Sequence, residues 1–198
     1  MRVAVLFARK DSNYKRFRCA DVWDKERNAL NWPGGCPVVA HPPCRAWGRL
    51  RHFAKPEPGE KELALWAVDQ VRAWGGVLEH PEGSSLWPAA GLPKPGDRRD
   101  EFGGFSLTVD QHWWGHRARK RTWLYIVGVD RSKVPAIQPT FLEPEFVVSP
   151  KGGLRKGMPG WKPHIRKDER EHTPPAFAEW LLELARRCGQ SGRLGAVG

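Results

Sequence analysis

The chain has no run of about 18 apolar residues, which excludes a membrane-spanning helix, and its N-terminus lacks the apolar centre of a signal peptide. A soluble, cytoplasmic protein with no membrane partner is expected. Cysteine is scarce, and Cys19, Cys36, Cys44 and Cys188 form neither a CxxC pair nor a dense framework. Reduced thiols follow, and a cysteine-based zinc knuckle is excluded, so no structural metal is expected. Internal repeats are also missing. Acid is under-represented: 22 Asp and Glu face 33 Lys and Arg, giving a net charge of +11 and a pI near 9.9. These cations occur throughout rather than in one tail, which implies a folded basic surface and a polyanionic partner, with nucleic acid the leading candidate.

What is present suffices for a core. A length of 198 residues, 40% of them hydrophobic, suits one domain with a small appendage and excludes global disorder. The 11 tryptophans are expected in the core or at its rim, with some available to stack on exposed bases.

Apolar runs and their punctuation outline the order of elements. Val3 to Phe7 reads as a first strand, and Cys19 to Asp24 as a weaker second strand ending in acid. Pro33-Gly34-Gly35 marks a turn before a third strand at Pro37 to Ala40, and a loop rich in Arg, Lys, Pro and Gly runs from Arg45 to Gly59. Leu63, Trp66, Ala67, Val71 and Trp74 recur at helical spacing between Glu60 and Trp74, where Gly75-Gly76 stops the helix. Val77-Leu78 then runs into Glu79-His80-Pro81. Strand, loop, helix and strand make a βαβ unit whose connection is right-handed, so the two strands are parallel. Cys44 and Glu79 therefore lie at the same edge of the sheet.

Further on, residues 84–105 are loop-rich, and apolar runs around Leu107 and at Thr122 to Val127 suggest a hairpin enclosing the basic cluster His116 to Arg121. Residues 135–163 read as an irregular basic segment. Thr173 as N-cap and Pro174-Pro175 in the first turn open a helix that carries Phe177, Trp180, Leu181 and Leu184. The division expected is a catalytic α/β part at 1–130, a small basic insertion at 131–166, a C-terminal helix at 167–187 packing back on the sheet, and a disordered tail at 188–198.

Cys44 stands at the end of His41-Pro42-Pro43-Cys44, where two prolines stop a β-branched run. That is the carboxyl end of a buried strand, where open α/β sheets place ligands and chemistry. Arg45 follows at once and is near enough to favour a thiolate. The plain alternative is a buried cysteine capping a strand. His41 and His80 flank the same region and, with Cys44, offer a second alternative, a metal site.

In order along the chain, these pieces resemble the DNA cytosine-5 methyltransferases, as a short, phage-like member. Leu6-Phe7-Ala8 is similar to the start of the family's first cofactor motif, and Trp23-Asp24-Lys25 to the acidic end of its second strand. Pro42-Pro43-Cys44 resembles the Pro-Cys nucleophile motif, and Glu79-His80-Pro81 stands where the family has Glu-Asn-Val. Trp114-Gly115 with Arg117 to Arg121 resembles the segment ending Gln-x-Arg-x-Arg, and Thr173 to Ala178 the last motif. The resemblance implies a Rossmann-like, S-adenosylmethionine-dependent methyltransferase fold: a mixed sheet flanked by helices, with a reduced recognition region in the insertion.

It also implies roles. Cytosine C5 is a poor nucleophile until a thiolate adds at C6 and a proton or strong hydrogen bond reaches N3. Cys44 would be the nucleophile and Glu79, as a buried carboxyl of raised pKa, the acid. Arg119 would contact the base carbonyl or orient Glu79, and Arg121 would support the backbone. Phe7, Ala8, Trp23, Asp24 and Pro42 would line the cofactor site; Arg45, Arg49, Arg117 and Lys120 would meet DNA whose target base is flipped out. Asp24 is equally readable as a plain turn acid, and the arginines as a phosphate clamp.

The family's first loop is glycine-rich, whereas Arg9-Lys10-Asp11-Ser12 contains no glycine, and Asp24 to Pro37 is too short for a further strand and its aspartate. Two donors are therefore open: S-adenosylmethionine in a reduced pocket, or an anionic donor such as methylene-tetrahydrofolate held by Arg9 and Lys10, which would make a pyrimidine hydroxymethyl-type transferase. A catalytically inactive DNA-binding relative is the third reading.

Overall fold

Val3-Ala4-Val5-Leu6 is wholly buried, with Val3 and Val5 facing one way and Ala4 and Leu6 the other. A strand apolar on both faces belongs in the middle of a covered sheet, and the computed structural model, which describes residues 1–49, 51–148 and 154–191, places it there. Six strands run β1 (Val3–Ala8), β2 (Ala20–Asp24), β3 (Val38–Ala40), β4 (Gly76–Pro81), β5 (Phe105–Asp110) and β6 (Arg121–Val127). Their order across the sheet is β2-β1-β3-β4-β6-β5. The first four are mutually parallel, while β6 is antiparallel to both neighbours. The protein is thus α/β with a mixed sheet flanked by helices, compatible with a Rossmann-like fold.

Helix α1 (Glu60–Trp74) covers one face, and α4 (Pro175–Ser191) the other. In α1 the buried positions are Ala64, Ala67, Val68 and Val71; the spacing read from the sequence had put Leu63, Trp66 and Trp74 inward. Small side chains let the helix lie close to the sheet, and the large ones reach sideways: Trp66 meets Phe7 edge-on at 5.8 Å and Trp74 meets Trp32 at 6.1 Å. The Gly75 N–H closes the helix on the Val71 carbonyl.

On the other face, Phe177, Ala178, Leu181, Leu184, Ala185 and Cys188 of α4 pack over Val3, Val5, Val39, Val77, Leu124 and Ile126. Only a short 3-10 helix, Asn13–Arg16, connects β1 to β2, so α4 supplies the cover there. Its first carbonyl acceptor is Pro174, bonded by Ala178 N, which leaves Thr173 one residue outside the expected N-cap position. The helix continues to Ser191, so the segment expected to be disordered from 188 starts as helix; residues 192–198 lie outside the described residues.

The described residues of 131–166 carry one 3-10 helix, Arg131–Lys133, and two isolated bridges, Ala118 to Phe146 and Val147 to His164, which hold them beside the start of β6. Short α2 (Leu86–Ala89) and α3 (Lys167–Glu171) complete the helices. Among the described residues no helix is long and apolar enough to cross a membrane.

Candidate active site

The strand order reverses between β1 and β3, because β2 lies on one side of β1 and β3 on the other. Ligands of open α/β sheets bind beyond the carboxyl ends of strands at such a reversal. The chain leaving β1 there has Phe7 at φ 60°, a left-handed conformation that costs a non-glycine residue about 1–2 kcal/mol. Backbone strain of this kind concentrates at functional sites. The chain leaving β3 carries His41 to Cys44, and β4 next to it ends in Glu79, His80 and Pro81.

Five side chains form a line of hydrogen bonds across these ends. Glu79 Oε2 is 2.9 Å from His41 Nδ1, and His41 Nε2 is 2.9 Å from the Tyr14 hydroxyl. Gln111 Nε2 donates to Glu79 Oε1 at 2.9 Å and to Thr122 Oγ1 at 3.1 Å. Both partners of the central pair are largely buried. The tautomer that fits both His41 contacts has Nδ1–H donating to the carboxylate and the Tyr14 O–H donating to Nε2. Burial acts to raise the Glu79 pKa, but the His41 hydrogen bond and the positive charge of Lys120 outweigh it and bring the pKa down to about 2. The expectation of a raised pKa is corrected: this carboxyl rests ionised. Its charge, added to complete burial, drives the Tyr14 pKa well above the ordinary value.

Cys44 is exposed, at the start of a tight turn whose geometry is fixed by its own carbonyl, which accepts from Trp47 N at 3.1 Å and Gly48 N at 2.8 Å. Trp47 is buried and anchors the turn: its indole donates to Lys61 O, and its carbonyl accepts from Ser85 N and Ser85 Oγ just past β4. The Cys44 pKa is raised, first by desolvation among its close neighbours and then by the charge of Glu79, with Lys120 opposing. Arg45 does not supply the expected thiolate-stabilising cation. Its guanidinium turns to Glu60, with contacts of 2.9 and 2.7 Å, because that buried helix-start carboxylate needs a partner. Lys120, expected at the DNA surface, is the cation that acts on both Cys44 and Glu79.

The other expected site residues divide. Arg119 is exposed and reaches Glu143 at 3.3 Å, while Arg121 binds Glu82 at 2.6 Å and Arg117 binds Glu145 and Glu169. Neither Arg119 nor Arg121 contacts Glu79; Gln111 orients it instead. The carboxylate of Asp24 is taken up by Lys15 at 2.7 Å and by the amides of Glu26 and Arg27, the turn-acid alternative. Trp23 lies under the Arg27 guanidinium, 3.8 Å from the ring centre, and the Phe7 ring points to Trp66.

A cleft of about 530 Å³ opens between the loop after β1 (Asp11, Asn13), the turn before β6 (His116, Arg117) and residues 166–175. None of Phe7, Ala8, Trp23, Asp24 or Pro42 lines it, since their side chains are used inside the fold or turned elsewhere. The loops around it are stitched together: Arg9 to Glu171 at 2.9 Å, His172 to Asp11 at 2.8 Å, and Asn13 Nδ2 to the Thr173 carbonyl at 2.8 Å. Cys44 is not among the residues that line the cleft, and the charge of Glu171 has only a small raising effect on its thiol. Arg9 and Lys10 are both neutralised, by Asp11 with Glu171 and by Glu26. Among the described residues no group of three His, Cys, Asp or Glu side chains is placed to hold a metal ion.

Gln111 could be singled out only once the direction of β5 was known. It follows the carboxyl end of β5, which two antiparallel steps make parallel to β3 and β4, the same placement that singled out Cys44 and Glu79. Tyr14 carried no such signal, because a 3-10 helix brings it to His41. Comparison with protein-family models gives no match for this chain, and comparison with curated proteins gives none either.

Proposed function

We propose that the protein is a transferase that modifies a pyrimidine base of DNA at C5, with Cys44 as nucleophile and Glu79 as the group that serves N3. The observation that carries this reading is the placement of an exposed thiol and a held carboxylate beyond two adjacent parallel strands, β3 and β4, with the cation Lys120 acting on both. The resemblance to cytosine-5 methyltransferases agrees with it. So does the net charge of +11, since a base must be flipped from a polyanionic duplex to reach the thiol.

The resting protonation states define the first step. Cys44 holds its proton and Glu79 does not, so the S–H proton passes to Glu79 and on to N3 while sulfur bonds to C6. No proton is gained or lost in this step. His41 keeps the carboxylate oriented, and Gln111 holds its second oxygen. After transfer the spent donor leaves as a neutral thioether, C5 gives up its hydrogen as a proton to solvent while the S–C6 electron pair returns to sulfur, and the N3 proton passes back through Glu79 to restore the thiol.

The donor is S-adenosylmethionine in this reading, and it supplies an electrophilic methyl group. The cleft at the loop after β1 is the candidate place for the donor; the acids in its wall, Asp11, Asp168 and Glu169, are paired with Arg9, Arg166 and Arg117, so they do not select its charge. Asn13 and the Thr173-Pro174 segment would hold it. A polyanionic folate loses its support, because Arg9 and Lys10 already have carboxylate partners.

Trapping tests the proposal. Duplex DNA of random sequence containing 5-fluorodeoxycytidine is incubated with the protein and S-adenosylmethionine, and also with methylene-tetrahydrofolate. A denaturant-stable adduct with wild type and none with Cys44→Ser is expected, with S-adenosylmethionine the effective donor. Wild-type protein that forms no adduct under either condition while it binds the DNA would make it a binding protein without this chemistry.

A further inference from the structure

Charge accounting over the surface separates two basic regions. Arg117, Arg119 and Arg121 each face a carboxylate. Arg49, Arg51 and Lys55 form no ion pair among the described residues. They sit in residues 41–59, which join β3 to α1 and contain a single acid, Glu57, already facing Arg45. A connection of this length whose described residues hold no more than one 3-10 turn is uncommon in a compact domain unless it does something.

Amid these cations stands Phe53, 86% exposed, on the 3-10 turn Arg51–Phe53. Leaving so large an apolar ring in water is unfavourable by roughly 2 kcal/mol relative to burial. The base of the loop is firm: Arg51 N bonds the Gly48 carbonyl, Gly48 N bonds the Cys44 carbonyl, and Trp47 is locked to Ser85. The aromatic tip is therefore carried on the same rigid turn that presents the thiol.

We infer that Arg49 and residues 51–55 form a duplex-DNA docking element in which Arg49, Arg51 and Lys55 take backbone phosphates and Phe53 enters the base stack as a wedge. Apolar side chains used this way unstack a base step and unwind the duplex, and the vacated stacking position is what an extruded base leaves behind. This rests on the proposed reading in that the wedge serves delivery of a base to Cys44, but binding and unwinding are measurable without chemistry.

The experiment uses the full chain and a nicked plasmid closed by ligase in its presence, with topoisomers resolved on a gel, alongside salt-dependent binding to a duplex. Wild type should shift the topoisomer distribution. Phe53→Ala should bind within about threefold of wild type and lose the shift, and Phe53→Leu should keep most of it. The triple variant Arg49→Ala, Arg51→Ala, Lys55→Ala should reduce the slope of log K against log salt by about 2 to 3. Unwinding by Phe53→Ala equal to wild type, an unchanged slope in the triple variant, or binding to single strands alone would each overturn the inference. Cys44→Ser should behave as wild type in both assays. Phe53-dependent unwinding without a Cys44 adduct would remove the proposed chemistry and leave this surface standing; an adduct without Phe53-dependent unwinding would do the reverse.

Discussion

His41 and Glu79 share a 2.9 Å hydrogen bond between Nδ1 and Oε2, made across the ends of two neighbouring parallel strands. Each partner is meaningful only with the other. Without His41 the buried carboxylate would keep only Gln111 on one oxygen and the charge of Lys120, and without Glu79 the imidazole N–H would lack an acceptor.

Replacing His41 by Ala should therefore raise the Glu79 pKa by at least about 1 unit and cost roughly 1–3 kcal/mol of stability. Carbon-13 NMR of labelled glutamate, with Glu79→Gln for assignment, reads it directly. In wild type the Glu79 carboxyl should stay ionised to about pH 2. His41→Asn, whose amide can donate, should recover part of the shift; a Glu79 signal unchanged in His41→Ala would remove His41 from its role.

The thiol offers a second titration. Glu79 raises the Cys44 pKa and Lys120 lowers it. At pH 8 alkylation of Cys44 by iodoacetamide, followed by mass spectrometry, should accelerate about threefold in Glu79→Gln and slow by a similar factor in Lys120→Gln, as a half-unit change in pKa gives. Changes of the opposite sign would mean that neither charge reaches the sulfur.

Gly76 ties fold to site. An added Cβ would strike the backbone of Val38, its register partner in β3, at φ 124°. Gly76→Ala should force β3 and β4 apart and cost more than about 2 kcal/mol in urea denaturation. Gly91→Ala, at φ 63° with open space around it, should cost only about 1 kcal/mol.

Acid should weaken the fold in two stages. Burial brings the His80 pKa down to about 4, with its Nδ1 on Ser84 Oγ at 2.8 Å. The unfolded chain binds that proton first, so the stability contribution is complete above about pH 6.5 and is lost on the way down to about 4. Glu79, depressed to about 2, adds its loss below about pH 4.5. Urea midpoints measured from pH 7 to 4 should fall less in His80→Asn than in wild type, and parallel curves would count against a neutral buried His80.

Strands β1, β3 and β4 and helix α1 were legible in the sequence because apolar runs ending at Pro or Gly encode buried parallel strands and a stop. From them the shared edge of Cys44 and Glu79 also followed. The partners of the arginines were not legible. Arg45 to Glu60, Arg119 to Glu143 and Arg121 to Glu82 are choices made in three dimensions among many carboxylates. The same limit hid the Glu79 protonation state, which depends on whether His41 points at it, and hid Gln111 until the direction of β5 was known.

The cover that α4 provides has a consequence for how the protein comes into being. The face of Val3, Val5, Val39 and Val77 has no α-helix of its own between β1 and β2, and its lid is made more than 160 residues after β1 begins. During synthesis that apolar face stays bare until residues 175–191 emerge, so the strand ends bearing His41, Cys44 and Glu79 cannot settle early. Chains released short of α4 should be aggregation-prone, so the turn that presents Cys44 takes shape only in finished molecules.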